Sequence, residues 1–336
     1  MRHTRTSLVA ASAAAAAVAL AAPAMAQDIT VGLSLPETIE GFDFVNGMYE
    51  TFEEHVEANS DMTVELIYGG ALGAPNERLG QMRRGILEMT DAADGNYATI
   101  YPDIQVLNMP YLFPSEQVAW EVLDGPFGDA MAGDILEETG IRVLGWWESG
   151  GFKHFSANTA IESPEDMEGL KMRVLGPLAT IPVEAMGASA SPVSFGELYT
   201  ALRTGVVDGQ DNSVATFNLV NLYEVQSHLS LTGHTYAFGP LGMSDDFYSG
   251  LTAEQQQVID EAAEAAIAFN REASREIEAE AIDFAREQGV EIIELSDEQR
   301  AAFREAMRPV AIDWLRENIE TPALIEEAIA AVEAAQ

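Results

Sequence analysis

The chain has 336 residues, no cysteine and a formal net charge of -38, with 55 acidic side chains against 17 lysines and arginines. Phosphate backbones and anionic lipids repel such a polyanion, which argues against binding to nucleic acids or membrane surfaces. Without cysteine, disulfides, thiolate catalysis and cysteine-ligated zinc are excluded. Because 47% of the residues are hydrophobic, the charge indicates a globular protein rather than disorder, and the length suggests two domains.

The first 26 residues have the pattern of an export signal. Arg2 and Arg5 precede an alanine-rich apolar run from Leu8 to Ala22, and Ala24-Met25-Ala26 supplies small residues for cleavage. The run is shorter than the roughly 20 apolar residues that span a bilayer, and nothing later in the sequence resembles a transmembrane segment. We therefore predict that residues 1–26 are a signal peptide and that the mature chain, with a formal charge of -40, is exported without membrane insertion.

Strands and helices alternate along the first part of the mature chain, which predicts an α/β fold with mostly parallel sheets. The predicted strands are Asp28–Leu35 and Met62–Tyr68, the predicted helices Phe44–Val56 and Glu77–Leu87, and the predicted buried segments Leu107–Phe113 and Ile141–Trp147.

A second unit is predicted to begin near Gly150 and Gly151. Ser163 has the position of an N-cap before a short helix that starts with proline. In the predicted strand Leu170–Leu175, alternation puts Lys171 and Arg173 on the face opposite the apolar residues. A helix over Phe195–Leu202 and a strand starting at Val206 and ending at Asn212 follow.

A single long helix is predicted from Thr252 to Gln288. Thr252 and Gln255 form a capping box, Gly289 is a stop signal, and apolar residues recur in steps of four and three. At 1.5 Å per residue this helix is roughly 55 Å long, so it must either protrude or lie across both domains. A second capping box at Ser296 and a helix over Thr321–Ala335 follow.

The sequence does not indicate an enzyme. The mature chain has four histidines, none of them in a recognisable metal or nucleophile motif, and among 55 acids chance pairs of carboxylates are expected. We predict no catalytic residue, no metal ligand and no cofactor.

A few residues suit ligand binding. Arg173 lies within an apolar strand, next to the loop at its C-terminal end, where open α/β folds bind ligands, so it could hold a carboxylate, or else pair with a local acid. Lys153 could be a second cation at the same cleft or a surface lysine. Asn212 could bind ligand or stabilise a turn, and Phe195 and Trp147 could form apolar walls or pack in the core.

Several runs of the sequence resemble the DctP-type solute-binding proteins of TRAP transporters. The resemblance covers nearly the whole mature chain, and the combination of a strand arginine, GAS-x-x-P and VDGQ-x-N is its most specific part. The runs are Gly70–Leu87 (GALGAPNERLGQMRRGIL), Leu107–Phe113 (LNMPYLF), Ser163–Val174 (SPEDMEGLKMRV), Gly187–Asn212 (GASASPVSFGELYTALRTGVVDGQDN) and Tyr223–Val225 (YEV).

The resemblance implies a two-lobed periplasmic receptor that closes on its ligand, with a long helix crossing both lobes and a cleft between them. It implies lobe I over 28–150 plus about 236–270, and lobe II over 151–235 plus about 271–336. Membrane permease subunits of the TRAP transporter are the implied partner.

The resemblance also implies the ligand-contacting residues. Arg173 takes the position of an arginine that pairs with a substrate carboxylate, and Lys153 a position that is commonly arginine. The other implied ligand contacts are Ser34, Asp94, Asn96, Trp147, Phe195 and Asn212.

The predicted ligand is a small organic acid: a sugar acid, a dicarboxylate, or a keto or hydroxy acid. Asp94 and Asn96 suit hydroxyl groups, which favours a polyhydroxylated acid. The only two lysines, Lys153 and Lys171, lie near Arg173, where the charge of the cleft must be reversed to attract an anion. Alternatives from the sequence are an ABC-type binding protein, an exported hydrolase, and a sensory adaptor of the same fold.

Overall fold

A computed structural model describes residues 28–38 and 44–336. The predicted signal peptide therefore lies outside the described residues. The helices in the described part are α1 (Asn46–Asn59), α2 (Pro75–Met82), α3 (Asp94–Tyr97), α4 (Glu116–Leu123), α5 (Pro126–Thr139), α6 (Pro177–Ala185), α7 (Leu198–Arg203), α8 (Val214–Leu219), α9 (Asp245–Tyr248), α10 (Ala253–Glu287), α11 (Asp297–Asn318) and α12 (Leu324–Ala334). None of the described helices combines the length and apolar character needed to cross a membrane.

Nine strands form one sheet in the described part of the chain. They are β1 (Asp28–Gly32), β2 (Thr63–Ile67), β3 (Met89–Thr90), β4 (Ile141–Ala157), β5 (Lys171–Val174), β6 (Ser189–Pro192), β7 (Gly209–Asn212), β8 (His228–Ser244) and β9 (Glu291–Ile293). Their order is β2-β1-β3-β8-β4-β7-β5-β6, with β9 beside β8.

The sheet is mixed, whereas the sequence pattern predicted mostly parallel sheets. β1, β2 and β3 are parallel to one another, and so are β5, β6 and β7, but β4 and β8 join these two groups as an antiparallel pair. Each of these two strands is 17 residues long, so each runs through both halves of the sheet. The alternation of short strands and helices reveals the parallel groups but not the pairing between them.

β4 bends where the second unit was predicted to begin. The pairing of β4 with β8 shifts register between Glu148 and Gly151, and both Gly150 and Gly151 have positive φ angles. A Cβ atom on Gly150 would lie 2.5 Å from Ser213 Oγ, so glycine is required there by conformation and by space.

The long helix lies across the molecule rather than protruding. Its N-terminal part, including Ile259 and Ala266, packs in a core with α1, and its C-terminal part, including Ala281 and Ala285, packs in a core with α7 and α8. The predicted capping box is confirmed, since Thr252 Oγ1 accepts from Gln255 N at 3.2 Å and Gln255 Oε1 accepts from Thr252 N at 3.0 Å.

Several predicted boundaries were wrong: the first strand ends at Gly32 rather than Leu35, and the helices predicted from Phe195 and Thr321 begin at Leu198 and Leu324. Two further differences have a clear physical reason. The helix predicted over Glu77–Leu87 is α2, which starts at Pro75 and ends at Met82, because the chain turns at Gly85 with a φ of +62°. The strand predicted from Val206 begins only at Gly209, because residues 206 and 207 complete a turn whose amide groups bond to the Ala201 carbonyl.

Candidate functional site

All eight residues predicted to contact ligand line one cavity, which encloses about 680 Å³. They come from the segment after β1, from α3, from β4 and β5, from the end of β7, and from the 3-10 helix after β6. Convergence at the ends of parallel strands is what open α/β sheets provide. The residues are Ser34, Asp94, Asn96, Trp147, Lys153, Arg173, Phe195 and Asn212.

Arg173 is a buried cation with incomplete hydrogen bonding. Its side chain is 2% exposed, its Nε donates to Val193 O at 3.0 Å, and its Nη2 is buried without a hydrogen-bond partner. Burial lowers its pKa, while the charges of Asp211 and Asp94 act in the opposite direction. No carboxylate of the described residues lies within ion-pairing distance. An unpaired buried N–H is costly, so an anion entering the cavity would gain a ready donor.

Lys153 is paired, in contrast to Arg173. Its Nζ lies 3.6 Å from Asp94 Oδ2, and its side chain is mostly buried. Asp211, which sequence reasoning missed, lies beside it. Burial opposes ionisation of Asp211, but a hydrogen bond with His234 and the charges of Lys153 and Arg173 outweigh it and lower its pKa to about 2. The acids of the cleft thus offset much of its positive charge.

A second buried arginine, Arg78, was also missed. It donates from Nε to Thr90 Oγ1 at 2.7 Å and from Nη2 to Ser34 Oγ at 2.7 Å, and it forms an ion pair with Asp91. Asp91 in turn accepts from the backbone N of Ser34 at 2.7 Å. This network fixes Ser34 at the cavity wall. The available signal was the position of Asp91 directly after β3, where strand ends supply polar groups.

The two asparagines are held by the protein itself. Asn96 Nδ2 donates to Asn76 Oδ1 at 2.8 Å, and Asn212 Nδ2 donates to Gln210 Oε1. Gln210 is fixed by donating to Ser156 Oγ at 2.8 Å. Both amides are therefore oriented before any ligand arrives.

The apolar wall of the cavity includes Trp147, Phe195 and Phe44. Trp146, the neighbour of Trp147, instead packs against Phe238 with ring centroids 5.9 Å apart. Lys171 is exposed and does not line the cavity, so it does not contribute to charge reversal at the site as the sequence had suggested.

A second space of about 550 Å³ lies next to the first and shares Asp94, Lys153 and Leu175 with it. Its lining adds the polar side chains of Gln105, Asn108 and His234 to a mainly apolar wall. Among the described residues, no group of three histidine, aspartate or glutamate side chains is arranged to hold a metal ion.

The family model for bacterial extracellular solute-binding protein, family 7 (DctP), matches residues 40–317. The sugar acid binding protein DctPAm from Advenella mimigardefordensis, solved in complex with galactonate, is 31% identical with a TM-score of 0.86, and the match covers 93% of this chain and 99% of that one. A TRAP periplasmic solute binding protein from Sulfitobacter sp. NAS-14.1 with bound β-D-galacturonate is 29% identical with a TM-score of 0.83, covering 92% and 100% of the two chains.

The ectoine-binding periplasmic protein TeaA of Halomonas elongata is 32% identical to this chain, and the match covers 80% of each of the two chains. The predicted two-lobed α/β fold is confirmed by the solved relatives. The matched family and these neighbours are binding proteins rather than enzymes. The chain belongs to the DctP family of bacterial extracellular solute-binding proteins.

Proposed function

We propose that this protein is the periplasmic receptor of a TRAP transporter and that it captures a polyhydroxylated monocarboxylic acid. The observation that carries the proposal is Arg173, a buried guanidinium with a free Nη2 at the wall of the cavity. Since its Nε is bonded to a carbonyl, the two Nη groups remain for the ligand carboxylate.

The charges around Arg173 favour one carboxylate rather than two. Asp94, Asp211 and Asp91 are all ionisable groups close to the site, each next to a cation or histidine of the protein. These acids would repel a second carboxylate of the ligand, whereas ligand hydroxyl groups would donate hydrogen bonds to them and accept one from Lys153. The galactonate and galacturonate bound by the two solved relatives have one carboxylate and several hydroxyls, which supports this class.

We propose that closure of the lobes follows from the placement of the site residues. Ser34, Asp94 and Asn96 belong to the β1 and β3 side of the sheet, and Arg173 and Asn212 to the β5 and β7 side. A ligand that contacts both sets is bound best when they are close, so it shifts the population to the closed state. The hinge is proposed at the β4 bend.

The lobe boundaries remain a proposal. The sequence divides the lobes into 28–150 plus about 236–270 and 151–235 plus about 271–336. We propose one change: α12 moves with the first lobe, because its Ile325 and Ala328 share a core with Ile104 and Leu123. The closed receptor is proposed to release its ligand to membrane permease subunits.

The test is a calorimetric titration of the purified mature chain with galactonate, galacturonate, glucuronate, succinate and ectoine. We expect micromolar or tighter binding of at least one sugar acid and binding of succinate at least tenfold weaker. Recovery of the bound acid unchanged would distinguish a receptor from a hydrolase. If succinate binds more tightly than every sugar acid, the monocarboxylate proposal is wrong; if none of these acids binds, the carboxylate receptor proposal loses its main support.

A further inference from the structure

A groove of about 1450 Å³ lies on the reverse side of the strands that form the ligand cavity. Lys153 and Phe155 of β4 line the cavities described above. Phe152 and His154, which alternate with them along the strand, line the groove. Successive side chains of a strand point to opposite faces, so groove and cavity share the same stretch of backbone.

One wall of the groove is a row of arginines. Arg300, Arg304 and Arg308 lie four residues apart on α11 and therefore share one face of this helix. We call this feature the arginine groove. Arg300 Nη2 bonds to Asp297 Oδ1 at 3.0 Å, which is an exposed contact of little energetic weight.

Arg304 and Arg308 have no carboxylate within ion-pairing distance among the described residues. Arg304 lies over the ring of Tyr111 with its Cζ 5.2 Å from the ring centroid, and Arg308 Nη1 donates to Tyr111 O at 3.0 Å. Burial and the charge of Arg304 lower the pKa of Arg308, so the two guanidinium groups repel each other. In a chain with 55 acids and 17 bases, this is an unusual place to leave positive charge uncompensated.

Two of the other ionisable groups at the arginine groove carry less charge than their residue types suggest. Burial lowers the pKa of His154 to about 3, so its ring is neutral. Burial and a hydrogen bond with Glu116 raise the pKa of Glu278 to about 8, so these two neighbouring carboxyls carry less than their full negative charge at neutral pH. Glu333 lies at the other wall and, within the described part of the chain, forms no ion pair with the arginine row.

Apolar side chains also line the groove, among them Leu112, Phe113, Phe152 and Val332. Arginine and aromatic side chains are enriched at protein–protein interfaces. Tyr111, which both arginines contact, has a φ of +55°, an unfavourable conformation for a residue with a side chain. Its backbone N donates to His234 O at 2.8 Å, which ties it to β8.

The arginine row lies on a helix that packs in two cores. Phe303 and Met307 of α11 pack with Met172 and Val174 of β5, whereas Ala311 and Leu315 of the same helix share a core with Val332 of α12. The helix that carries the arginines is therefore held firmly against the wall formed by α12.

We propose that the arginine groove docks an acidic segment of the membrane permease. The proposal rests on the receptor function proposed above. A protein segment fits better than a lipid surface, because a chain with a net charge of -38 is repelled by an anionic bilayer as a whole. A local acidic segment can contact the three guanidinium groups without meeting the rest of the surface.

The test compares two double variants in proteoliposomes that contain the cognate permease subunits. Arg300→Glu/Arg304→Glu reverses the row, and Arg83→Glu/Arg84→Glu makes the same charge change at two exposed arginines elsewhere. Uptake of the labelled acid is measured against receptor concentration. We expect the receptor concentration for half-maximal uptake to rise at least tenfold for the first variant and less than twofold for the second, with the difference shrinking at high salt.

Ligand affinity, measured separately by calorimetry, keeps this proposal distinct from the receptor function. Both variants should bind the acid within twofold of wild type. Equal uptake by the two variants, or equal loss, would contradict docking in the groove while leaving the receptor function intact. If inorganic phosphate stabilises the protein thermally through Arg304 and uptake is unaffected, the groove is a small-anion site instead. If the protein dimerises and the first variant abolishes dimerisation, the occupant is a second copy of the chain.

Discussion

Two arginines are buried beside the same cavity, Arg78 on one side and Arg173 on the other, and they differ in how completely the protein pairs them. Arg78 is 0% exposed and is fully engaged by Asp91, Thr90, Ser34 and the carbonyl of residue 73. Arg173 is 2% exposed, yet a single carbonyl accepts from its Nε and its Nη2 has no partner.

The difference separates a structural charge from a binding charge. A buried ion is tolerated when counter-charge and hydrogen bonds replace its lost hydration. Arg78 meets this condition within the chain. Arg173 meets it only when an anion arrives, so the protein keeps an unsatisfied donor where the ligand is needed. Four substitutions can break or sharpen this distinction.

The largest effect is expected for Arg78→Leu. Removing this guanidinium leaves Asp91 buried without its cation, so the free energy of unfolding should fall by about 3–5 kcal/mol. Urea unfolding followed by circular dichroism measures the change. Arg84→Leu, an exposed arginine just beyond the same helix, should change stability by less than about 0.5 kcal/mol. A stable Arg78→Leu protein would mean that the network is not needed for folding.

Arg173→Gln should weaken ligand binding strongly and change the stability of the free protein little. Ligand affinity should fall at least about 100-fold, or about 2.7 kcal/mol, because the carboxylate loses its charged donor. Stability without ligand should stay within about 1 kcal/mol of wild type, since no ion pair is broken. Calorimetry and urea unfolding measure the two quantities, with the exposed Arg203→Gln as control. A stability loss as large as that of Arg78→Leu would remove the distinction between the two arginines.

Glu148 shows a third way to bury an ionisable group, namely protonation. Burial, together with the charge of Glu116, raises its pKa from 4.5 to about 7, although Tyr236 O–H donates to it at 2.9 Å. Because the folded-state pKa exceeds the unfolded one, the stabilising contribution is complete below pH 4.5 and is lost as the pH rises through about 7.

Glu148→Gln should therefore match wild type near pH 5 and exceed its free energy of unfolding by about 2 kcal/mol near pH 8.5. Unfolding in urea across this pH range provides the measurement. The exposed Glu287→Gln should follow the wild-type curve. Parallel curves for wild type and Glu148→Gln would show that this carboxyl is ionised throughout the range.

The smallest effect is expected for Lys153→Gln. Lys153 is already paired with Asp94 at 3.6 Å, so its charge is only partly available to a ligand. Affinity for the acid should fall about tenfold, or about 1.4 kcal/mol. The chain's only other lysine is exposed, so Lys171→Gln is a matched control and should leave affinity unchanged. A loss as large as that of Arg173→Gln would make Lys153 an equal anchor.

The long helix α10 was predicted correctly because its signals lie between residues that are close in sequence. The cap of α10 at Thr252, its end before Gly289 and its apolar spacing all depend on neighbours within four positions, and the structure confirms this helix almost to the residue. The strand predicted from Val206 was wrong because a turn closed by the Ala201 carbonyl overrides the β propensity of valine there.

The sequence by itself determined the α/β character, the capped long helix and, through family resemblance, eight of the residues that line the cavity. Tertiary structure decided which buried charges are paired. Arg78 meets Ser34 across 44 residues, while Asp211 lies beside Lys153 and Arg173 without forming an ion pair with either within the described part of the chain. Caps and periodicity act between near neighbours, whereas ion pairing depends on long-range packing, and it is that packing which leaves one arginine free for a ligand.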